Sequence, residues 1–465
     1  MIKYCAWVCM RCVPIIVIAA FLASCGGTAE HKNDPNAFQV PVTYYKLPNG
    51  LKVVLSKDAT APTVCVAVYY NIGFRIEPKD RTGFAHLFEH MMFQGSENLG
   101  KNEFAKLVQQ NGGVFNGSTR FDFTNYFEVM PAHKLETALW AEADRMKGLA
   151  ITQENLTNQQ GVVKSEVKVN VINQPYGGFP WLDMPQYANK NWFNAHNFYG
   201  DLADLDSAKL EDVDKFFKTF YAPNNAVLAV VGDFEEAEAK KWIEQYFGGL
   251  KTSELPAKPD ISEPEQNAEQ IFHKSDTLAP KPAIAVAYKM PDRNTPEYYA
   301  MGLIDQLLVQ GQDSKLSTKL TQEKGYTGNV FGGINYLGNM FNYNGPMVWM
   351  SNLTYDANVS ADSIVKVFDE AISELNSVTQ EDVDLAIVKL RSDLYSNVSN
   401  SFGTADLLAS FALFDDDPSR INSLEAEFKK VTAEQIRKTA AEFLRPTNRT
   451  ILIVDPKGSQ QTAKL

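Results

Sequence analysis

Hydrophobic and polar positions change period repeatedly along the chain from Val40 onward, which predicts that strands and helices are interspersed. Residues 63–70 (TVCVAVYY) predict an apolar strand. Residues 44–55 carry Asn49-Gly50 between apolar flanks, which predicts a hairpin because both residues tolerate positive φ. Residues 83–94 instead place apolar side chains at helical spacing. The mixed pattern is typical of an α+β fold.

A longer repeat is superimposed on this pattern. Residues 220–225 (FYAPNN), followed by an apolar run, recur 223 positions later as residues 443–448 (FLRPTN). Residues 112–117 (GGVFNG) match residues 328–333 (GNVFGG) at an offset of 216. Chance similarity of short apolar and glycine runs is the alternative, but two independent matches at nearly equal offsets indicate a duplication.

The duplication defines the predicted domain organisation. We predict two homologous α/β sandwich halves, each a mixed sheet packed with helices, that together form a clam-shell. The first half covers residues 40–251 and the second covers residues 270–465. Residues 252–269 contain three prolines and lack periodicity, as expected of a linker between the halves.

Residues 1–24 have the features of an export signal. Lys3 and Arg11 accompany a ten-residue apolar run that is too short to span a bilayer. The following Leu-Ala-Ser-Cys25 resembles a bacterial lipobox, in which cleavage before the cysteine is coupled to acylation of its thiol. This pattern predicts a lipid anchor at Cys25, a flexible tether over residues 25–39 and a place in the bacterial cell envelope, at the outer membrane. An ordinary secretory signal that ends at a cysteine is the alternative.

The amino-acid composition excludes some classes of protein and some binding partners. The chain has 465 residues, a formal charge of −12 and 45% hydrophobic residues, which is enough for a buried core. An acidic protein repels phosphate backbones, so nucleic acid is not expected as a partner. Four of the five cysteines lie in the predicted signal or at its end, Cys25, which excludes a disulfide framework and leaves Cys65 as a small buried hydrophobe.

The strongest chemical signal is His86-Leu-Phe-Glu89-His90. Residues i and i+4 share a helix face, so both imidazoles can reach one ion, with Glu89 beside them. Two neutral histidines suit zinc, which makes Zn²⁺ the predicted cofactor and Glu89 the predicted general base. The motif H-x-x-E-H is the inverted zincin signature. Buried, hydrogen-bonded histidines are the alternative, but only 6 of 465 residues are histidine, so about 0.01 such motifs are expected by chance.

A catalytic zinc site requires a third protein ligand. The residues alone leave four carboxylates open: Glu128, Glu142, Asp144 and Glu166. Residues 86–90, 112–116 and 162–166 (VVKSE) together resemble the insulinase/pitrilysin family of zinc peptidases, and the resemblance extends from residue 47 to the end of the second half. It implies that Glu166, on a separate helix, is the third metal ligand.

The same resemblance implies a peptide-binding strand. Residues 112–119 match an edge strand to which a peptide substrate adds as an extra strand, a mode that recognises the peptide backbone with little demand on its sequence. Asn116, Gly117 and Ser118 are the implied substrate-binding residues, and Asn116 matches an asparagine that helps to hold the substrate. A turn asparagine beside Gly117 is the alternative.

The second half departs from the family pattern. Members that act alone carry an arginine there and, seven residues later, a tyrosine, which stabilise the developing oxyanion. This chain has Thr321 and Gly328 at those positions, and loss of one oxyanion donor can cost about 10² to 10³ in rate. Some family members pair two chains, so the resemblance implies a heterodimer with a related subunit that supplies the arginine and tyrosine. Substitution by Tyr326, through a local register shift, is the alternative.

The second half also lacks the metal motif. The offset of 216 places Gly302, Asp305 and Gln306 opposite the H-x-x-E-H residues. The sequence therefore predicts a zinc-dependent endopeptidase subunit that cleaves short or unfolded peptides in an enclosed chamber. The alternative is a non-catalytic peptide-binding or assembly subunit that retains zinc.

Overall fold

The computed structural model describes residues 39–456. The predicted signal over residues 1–24, the predicted lipidation at Cys25 and all of the predicted tether except Gln39 lie outside the described residues. Within the part of the chain that is described, no helix has the length and apolar character needed to span a membrane.

Residues 39–456 form eleven strands and sixteen α-helices. The strands are β1 (Thr43–Lys46), β2 (Lys52–Lys57), β3 (Thr63–Tyr70), β4 (Val114–Thr119), β5 (Thr124–Pro131), β6 (Ala226–Gly232), β7 (Gln270–Asp276), β8 (Ala283–Lys289), β9 (Phe331–Ile334), β10 (Val348–Thr354) and β11 (Arg449–Pro456). The helices are α1 (Phe84–Met91), α2 (Glu103–Gln110), α3 (Leu135–Lys147), α4 (Gln153–Val167), α5 (Asp183–Ala188), α6 (Trp192–Ala195), α7 (Leu202–Ser207), α8 (Leu210–Phe220), α9 (Glu236–Phe247), α10 (Pro296–Leu308), α11 (Lys315–Ser317), α12 (Ala361–Ser373), α13 (Gln380–Asn397), α14 (Ser401–Asp415), α15 (Leu424–Lys429) and α16 (Ala433–Phe443).

The strands form two mixed sheets, one in each half of the sequence. The first sheet has the order β1-β2-β6-β3-β5-β4, and the second has the order β7-β11-β8-β10-β9. In the first sheet β2 and β6 run parallel, whereas β3 is antiparallel to both of its neighbours. The α+β fold class with two sheet-and-helix halves, predicted from the sequence, is confirmed.

The local predictions for the first half are confirmed as well. The strand predicted over residues 63–70 is β3, and the predicted hairpin is the antiparallel pair of β1 and β2. Gly50 in its turn has φ +86°, a conformation that glycine adopts without steric cost. Cys65 is fully buried in β3. No helix or strand lies between the end of α9 and the start of β7, where the linker was predicted.

The repeat seen in the sequence is also a repeat in structure. Pro223–Asn225 and Pro446–Asn448 both form a 3₁₀ turn between a helix and a buried strand, β6 in the first half and β11 in the second. In each turn the asparagine side-chain amide donates a hydrogen bond to the carbonyl five residues earlier, at 2.9 Å for Asn225 and 2.7 Å for Asn448. The same turn therefore occurs in both halves, and the same side-chain hydrogen bond stabilises it in each.

The two halves exchange helices across their boundary. Helix α14 of the second half packs on β3 and β6 of the first sheet, and α5 of the first half packs on β8 and β11 of the second. Phe127 and Phe402 stack across the boundary with ring centroids 3.7 Å apart. One buried cluster accordingly contains residues of both sheets. Because of this exchange the two halves share one hydrophobic core, and one face of each sheet is partly buried by a helix of the other half.

Candidate metal centre

Helix α1 begins at a close backbone contact. Gly83, at its N-cap, has φ +81°, and a Cβ there would lie 2.7 Å from the carbonyl oxygen of Tyr199. The buried carboxylate of Glu77 accepts hydrogen bonds from the backbone amides of Gly83 at 2.9 Å and Ala85 at 2.6 Å. These bonds satisfy amides that have no partner within the helix, so the start of α1 is fixed on two sides.

Helix α1 carries His86, Glu89 and His90 on one face. His86 is buried and His90 is partly exposed, and their rings lie edge to face with centroids 5.0 Å apart. Helix α4, which carries Glu166, packs directly against α1. This packing brings a carboxylate from a distant part of the sequence next to both imidazoles.

The three predicted ligands converge. His86 Nε2 lies 3.6 Å from one carboxylate oxygen of Glu166, and His90 Nε2 lies 3.2 Å from the other. Their donor atoms all fall within 4.8 Å of one another, and no other group of three or more potential ligands is found between residues 39 and 456. Zinc bonds of about 2.0 to 2.1 Å in tetrahedral geometry separate neighbouring donors by about 3.3 Å. The donor set therefore fits a zinc ion.

Local electrostatics favour the protonation states that bind a metal. Burial lowers the pKa of His86, which favours its neutral form. A hydrogen bond with His90, together with the charge of His86, lowers the pKa of Glu166 and favours its carboxylate. A zinc ion held by these residues would polarise a scissile carbonyl and promote ionisation of the attacking water.

Glu89 is held between α1 and the edge strand β4. Its Oε2 accepts a hydrogen bond from the hydroxyl of Thr119 at 2.7 Å. A Cβ at Gly117 would lie 3.3 Å from Glu89 Cγ, so the glycine leaves room for this side chain. The carboxylate is thus positioned beside the metal ligands, where it can accept a proton and release it again. Thr119 was not singled out in the sequence.

Strand β4 lies at the edge of the first sheet, where a peptide can add. Gly117 and Thr119 face α1, so by strand alternation Asn116 and Ser118 point to the opposite face. Asn116 is exposed, and its side-chain oxygen accepts a hydrogen bond from the Gly117 amide at 2.8 Å. Ser118 donates to Asn125 on β5. The substrate-binding roles of these residues remain predictions.

The other candidate carboxylates have different partners. Glu128 and Glu142 are fully buried together, and Arg145 pairs with Glu142. Burial and the neighbouring Glu142 raise the pKa of Glu128 well above its usual range. Asp144 accepts hydrogen bonds from the backbone and side-chain amides of Asn98. The structure therefore leaves Glu166 as the third donor beside the histidines.

The second half contains a polar cluster where the first half has its candidate metal ligands. Asp305, opposite Glu89 in the repeat, accepts hydrogen bonds from Trp349 Nε1 at 2.7 Å and from Gln310 at 3.0 Å. Gln306, opposite His90, donates to Asp393 on α13 at 3.1 Å. Protein side chains thus satisfy these groups, as expected for a half without metal ligands.

The positions expected for an arginine and a tyrosine lie on the second half. Thr321 belongs to a π-helical turn, Thr318–Glu323, that continues α11 and packs on α12. Gly328 is exposed, with no heavy atom within 4 Å of its Cβ position. Neither position offers a cation or a phenol.

Tyr199 is a further residue at the centre that sequence reasoning missed. Its hydroxyl faces the carboxylate of Glu166, and its ring centroid lies 5.0 Å from that of His86. Burial and the nearby carboxylates raise the pKa of Tyr199 to about 12, so it remains a neutral phenol. The pattern of the sequence around it, a tyrosine in an irregular segment, carried no signal of this role.

A two-halved fold in which only one half bears an H-x-x-E-H helix and a distant glutamate defines a class of inverted-motif metalloproteins. Residues 52–191 match the model described as Insulinase (Peptidase family M16), and residues 207–390 match the model described as Peptidase M16 inactive domain. The chain belongs to the insulinase/pitrilysin family, peptidase family M16.

Individual relatives are similar over most of the chain. The zinc protease PqqE of Helicobacter pylori is 26% identical over 425 residues, which is 88% of this chain and 92% of the relative. A probable mitochondrial-processing peptidase subunit beta of Arabidopsis thaliana is 24% identical over 289 residues, covering 60% of this chain and 52% of the relative. The crystal structure of a protease from Helicobacter pylori superposes with a TM-score of 0.82 at 25% identity, covering 90% of this chain and 100% of that one.

Proposed function

We propose that this chain is a zinc-dependent endopeptidase subunit that cleaves short or unfolded peptides. The observation that carries the proposal is the convergence of His86, His90 and Glu166 within 4.8 Å, with Glu89 on the same helix face as the two histidines. Similarity to a protein named zinc protease PqqE supports the same hydrolase class.

In this proposal Glu89 performs the proton transfers of peptide hydrolysis. It takes a proton from the attacking water and later delivers it to the leaving amine. The hydrogen bond from Thr119 holds its carboxylate for both steps. The substrate backbone adds to the free edge of β4, which places an extended peptide beside α1 without a demand on its sequence.

We also propose that full turnover requires a related partner subunit. Thr321 and Gly328 supply neither a cation nor a phenol, so the arginine and tyrosine would come from the partner. Similarity to a protein named as a peptidase subunit supports an assembly of this kind. The lipobox-like segment before Cys25 supports a lipid anchor that holds the complex in the cell envelope.

A non-catalytic subunit that binds peptides and keeps zinc is the second candidate. The missing arginine and tyrosine favour it, and so does the match of residues 207–390 to a model described as an inactive domain. Retention of Glu89 beside the three ligands favours catalysis, because a purely structural zinc site has no need of a general base.

Peptide turnover by matched glutamate variants separates the candidates. The full-length chain is assayed with a pool of quenched fluorescent peptides, alone and with the chain that co-purifies with it. Glu89→Gln should lower turnover by about 10² to 10⁴ while zinc content stays at the wild-type level. Glu238→Gln, an exposed change on α9, is the matched control and should leave turnover unchanged.

Three results bear on the proposal. Turnover that appears only with the co-purified chain, and is lost with Glu89→Gln, supports a two-chain enzyme. Full turnover by the single chain removes the need for a partner. Peptide binding without turnover under every condition, in a protein that holds zinc, favours the non-catalytic candidate.

A further inference from the structure

We infer that Tyr199 is a positioning residue that fixes the geometry of the metal ligands His86 and Glu166, and that zinc affinity depends on its hydroxyl group. The inference rests on the proposed metal site and extends it to a residue outside the H-x-x-E-H motif. Three features of the structure carry it: the contacts of the phenol, the attachment of its loop and the lack of another partner for His86.

Tyr199 contacts ligands on two different helices. Its hydroxyl faces the carboxylate of Glu166 on α4, whose negative charge helps to raise the pKa of the phenol. Its ring packs edge to face on His86 of α1, with centroids 5.0 Å apart and planes inclined by 63°. One side chain therefore bridges the two elements that must stay in register for the ligands to converge.

The loop that carries Tyr199 is attached to the start of α1. A Cβ on Gly200 would lie 2.4 Å from the backbone nitrogen of Gly83, so the two backbones meet with no room for a side chain. Thr82 Oγ1 accepts a hydrogen bond from the Asp201 amide at 2.8 Å, and Thr82 itself donates to Asp204. Because of these contacts, the position of the phenol is set relative to the helix that carries both histidines.

His86 depends on this packing more than most zinc ligands do. Metal-bound histidines usually donate their second ring N–H to an oxygen that orients the ring. His86 Nδ1 is buried and has no hydrogen-bond partner among residues 39–456. Contact with the Tyr199 ring is therefore a means by which the imidazole is held in place.

Trp181 makes a second aromatic contact with Tyr199. Its ring meets that of Tyr199 at 77°, with centroids 5.6 Å apart. Tyr199 thus packs against both the Trp181 ring and the ring of a candidate ligand, while its hydroxyl faces Glu166. A side chain held in this way loses little additional rotamer freedom when a metal binds.

Zinc affinity of matched variants tests the inference. The metal-free, full-length chain is titrated with zinc in competition with a chromophoric chelator, and the melting temperature of the metal-free protein is measured in parallel. Tyr199→Phe keeps the ring contact with His86 and deletes the hydroxyl, so we expect a zinc affinity about 10- to 100-fold weaker, as is typical for loss of an outer partner of a metal ligand. Tyr199→Leu, which removes both contacts, should bind zinc more weakly still.

Tyr246→Phe is the matched control. Its phenol is also partly buried and donates to a carboxylate, that of Glu136, at 2.8 Å, but this bond joins α9 to α3, neither of which carries a candidate metal ligand. Zinc affinity of this variant should equal that of the wild type. Weaker zinc binding in Tyr199→Phe, at an unchanged melting temperature, supports the inference, because a general loss of stability would move both values.

Two results overturn it, and they are distinguishable. If the wild type binds zinc and Tyr199→Phe binds it with the same affinity, the hydroxyl has no positioning role and the metal site itself stands. If the wild type binds no zinc at these ligands, the proposed metal site fails and the role of Tyr199 fails with it.

Discussion

The contact between the start of α1 and the Tyr199 loop predicts that Gly83→Ala is strongly destabilising. Gly83 has φ +81°, a left-handed conformation that costs an alanine about 1 to 2 kcal/mol. The added Cβ would lie 2.7 Å from the Tyr199 carbonyl oxygen, and relief of such overlap by backbone movement costs about 1 to 3 kcal/mol. The two terms together predict a loss of about 2 to 5 kcal/mol in the free energy of unfolding.

Gly161→Ala is the matched control on the other ligand-bearing helix. Gly161 is exposed within α4, and its Cβ position has no heavy atom within 4 Å. Alanine is a better helix former than glycine, so this change should stabilise the protein by about 0.5 to 1 kcal/mol. The same chemical substitution is therefore expected to have opposite signs at the two positions.

Urea denaturation of the metal-free protein at pH 7, followed by circular dichroism, measures both changes. Because the metal is removed, differences in zinc affinity between the variants do not affect the measured stabilities. Equal m values would show that both variants expose a similar surface area on unfolding. A change of less than about 0.5 kcal/mol in Gly83→Ala, the range usual for surface substitutions, would refute the reasoning. It would mean that the loop and the helix start are not packed as described.

Three further predictions concern other parts of the molecule. Gly117→Ala should lower peptide turnover about 10-fold, because the added Cβ would crowd Glu89, while zinc affinity stays unchanged. Steady-state kinetics and zinc titration measure the two quantities, and turnover equal to that of the wild type would contradict the prediction. Burial raises the pKa of Asp305 to about 6, so the folded protein holds the proton of this carboxyl more tightly than the unfolded chain does. The free energy of unfolding should therefore fall by about 3 kcal/mol as the pH rises from about 4 to 7. Asp305→Asn should remove that pH dependence, as measured by urea titrations at several pH values. If the stability of the wild type and of the variant changes equally with pH, the prediction is wrong. Arg75→Leu leaves the buried carboxylate of Asp122 without its cation and should cost about 3 to 5 kcal/mol in urea; a loss below about 1 kcal/mol would contradict the pairing.

Local features of the fold could be predicted because they are encoded in neighbouring residues. Asn49-Gly50 specifies a turn through backbone conformations that few other residues adopt, and Gly83 precedes a helix whose apolar spacing is visible in the sequence. The duplicated turns could also be predicted from the sequence, since each half has a proline and an asparagine at the same spacing. In both halves the asparagine side chain donates to the carbonyl five residues earlier.

Long-range features were less accessible to sequence reasoning. Periodicity places His86 and His90 on one face, but it does not say which of four carboxylates packs against that face. Only resemblance to a family selected Glu166. The exchange of α5 and α14 between halves and the bridge made by Tyr199 are tertiary contacts between segments far apart in the chain, and no local pattern specifies them.

X-ray diffraction from crystals grown with zinc, recorded on both sides of the zinc absorption edge, tests the central claim most directly. The account predicts one strong anomalous peak on the first half, bonded to His86 Nε2, His90 Nε2 and a carboxylate oxygen of Glu166 at about 2.0 to 2.2 Å. A map with no peak among these three side chains, or with Glu166 turned away from a metal held by the histidines alone, would contradict it.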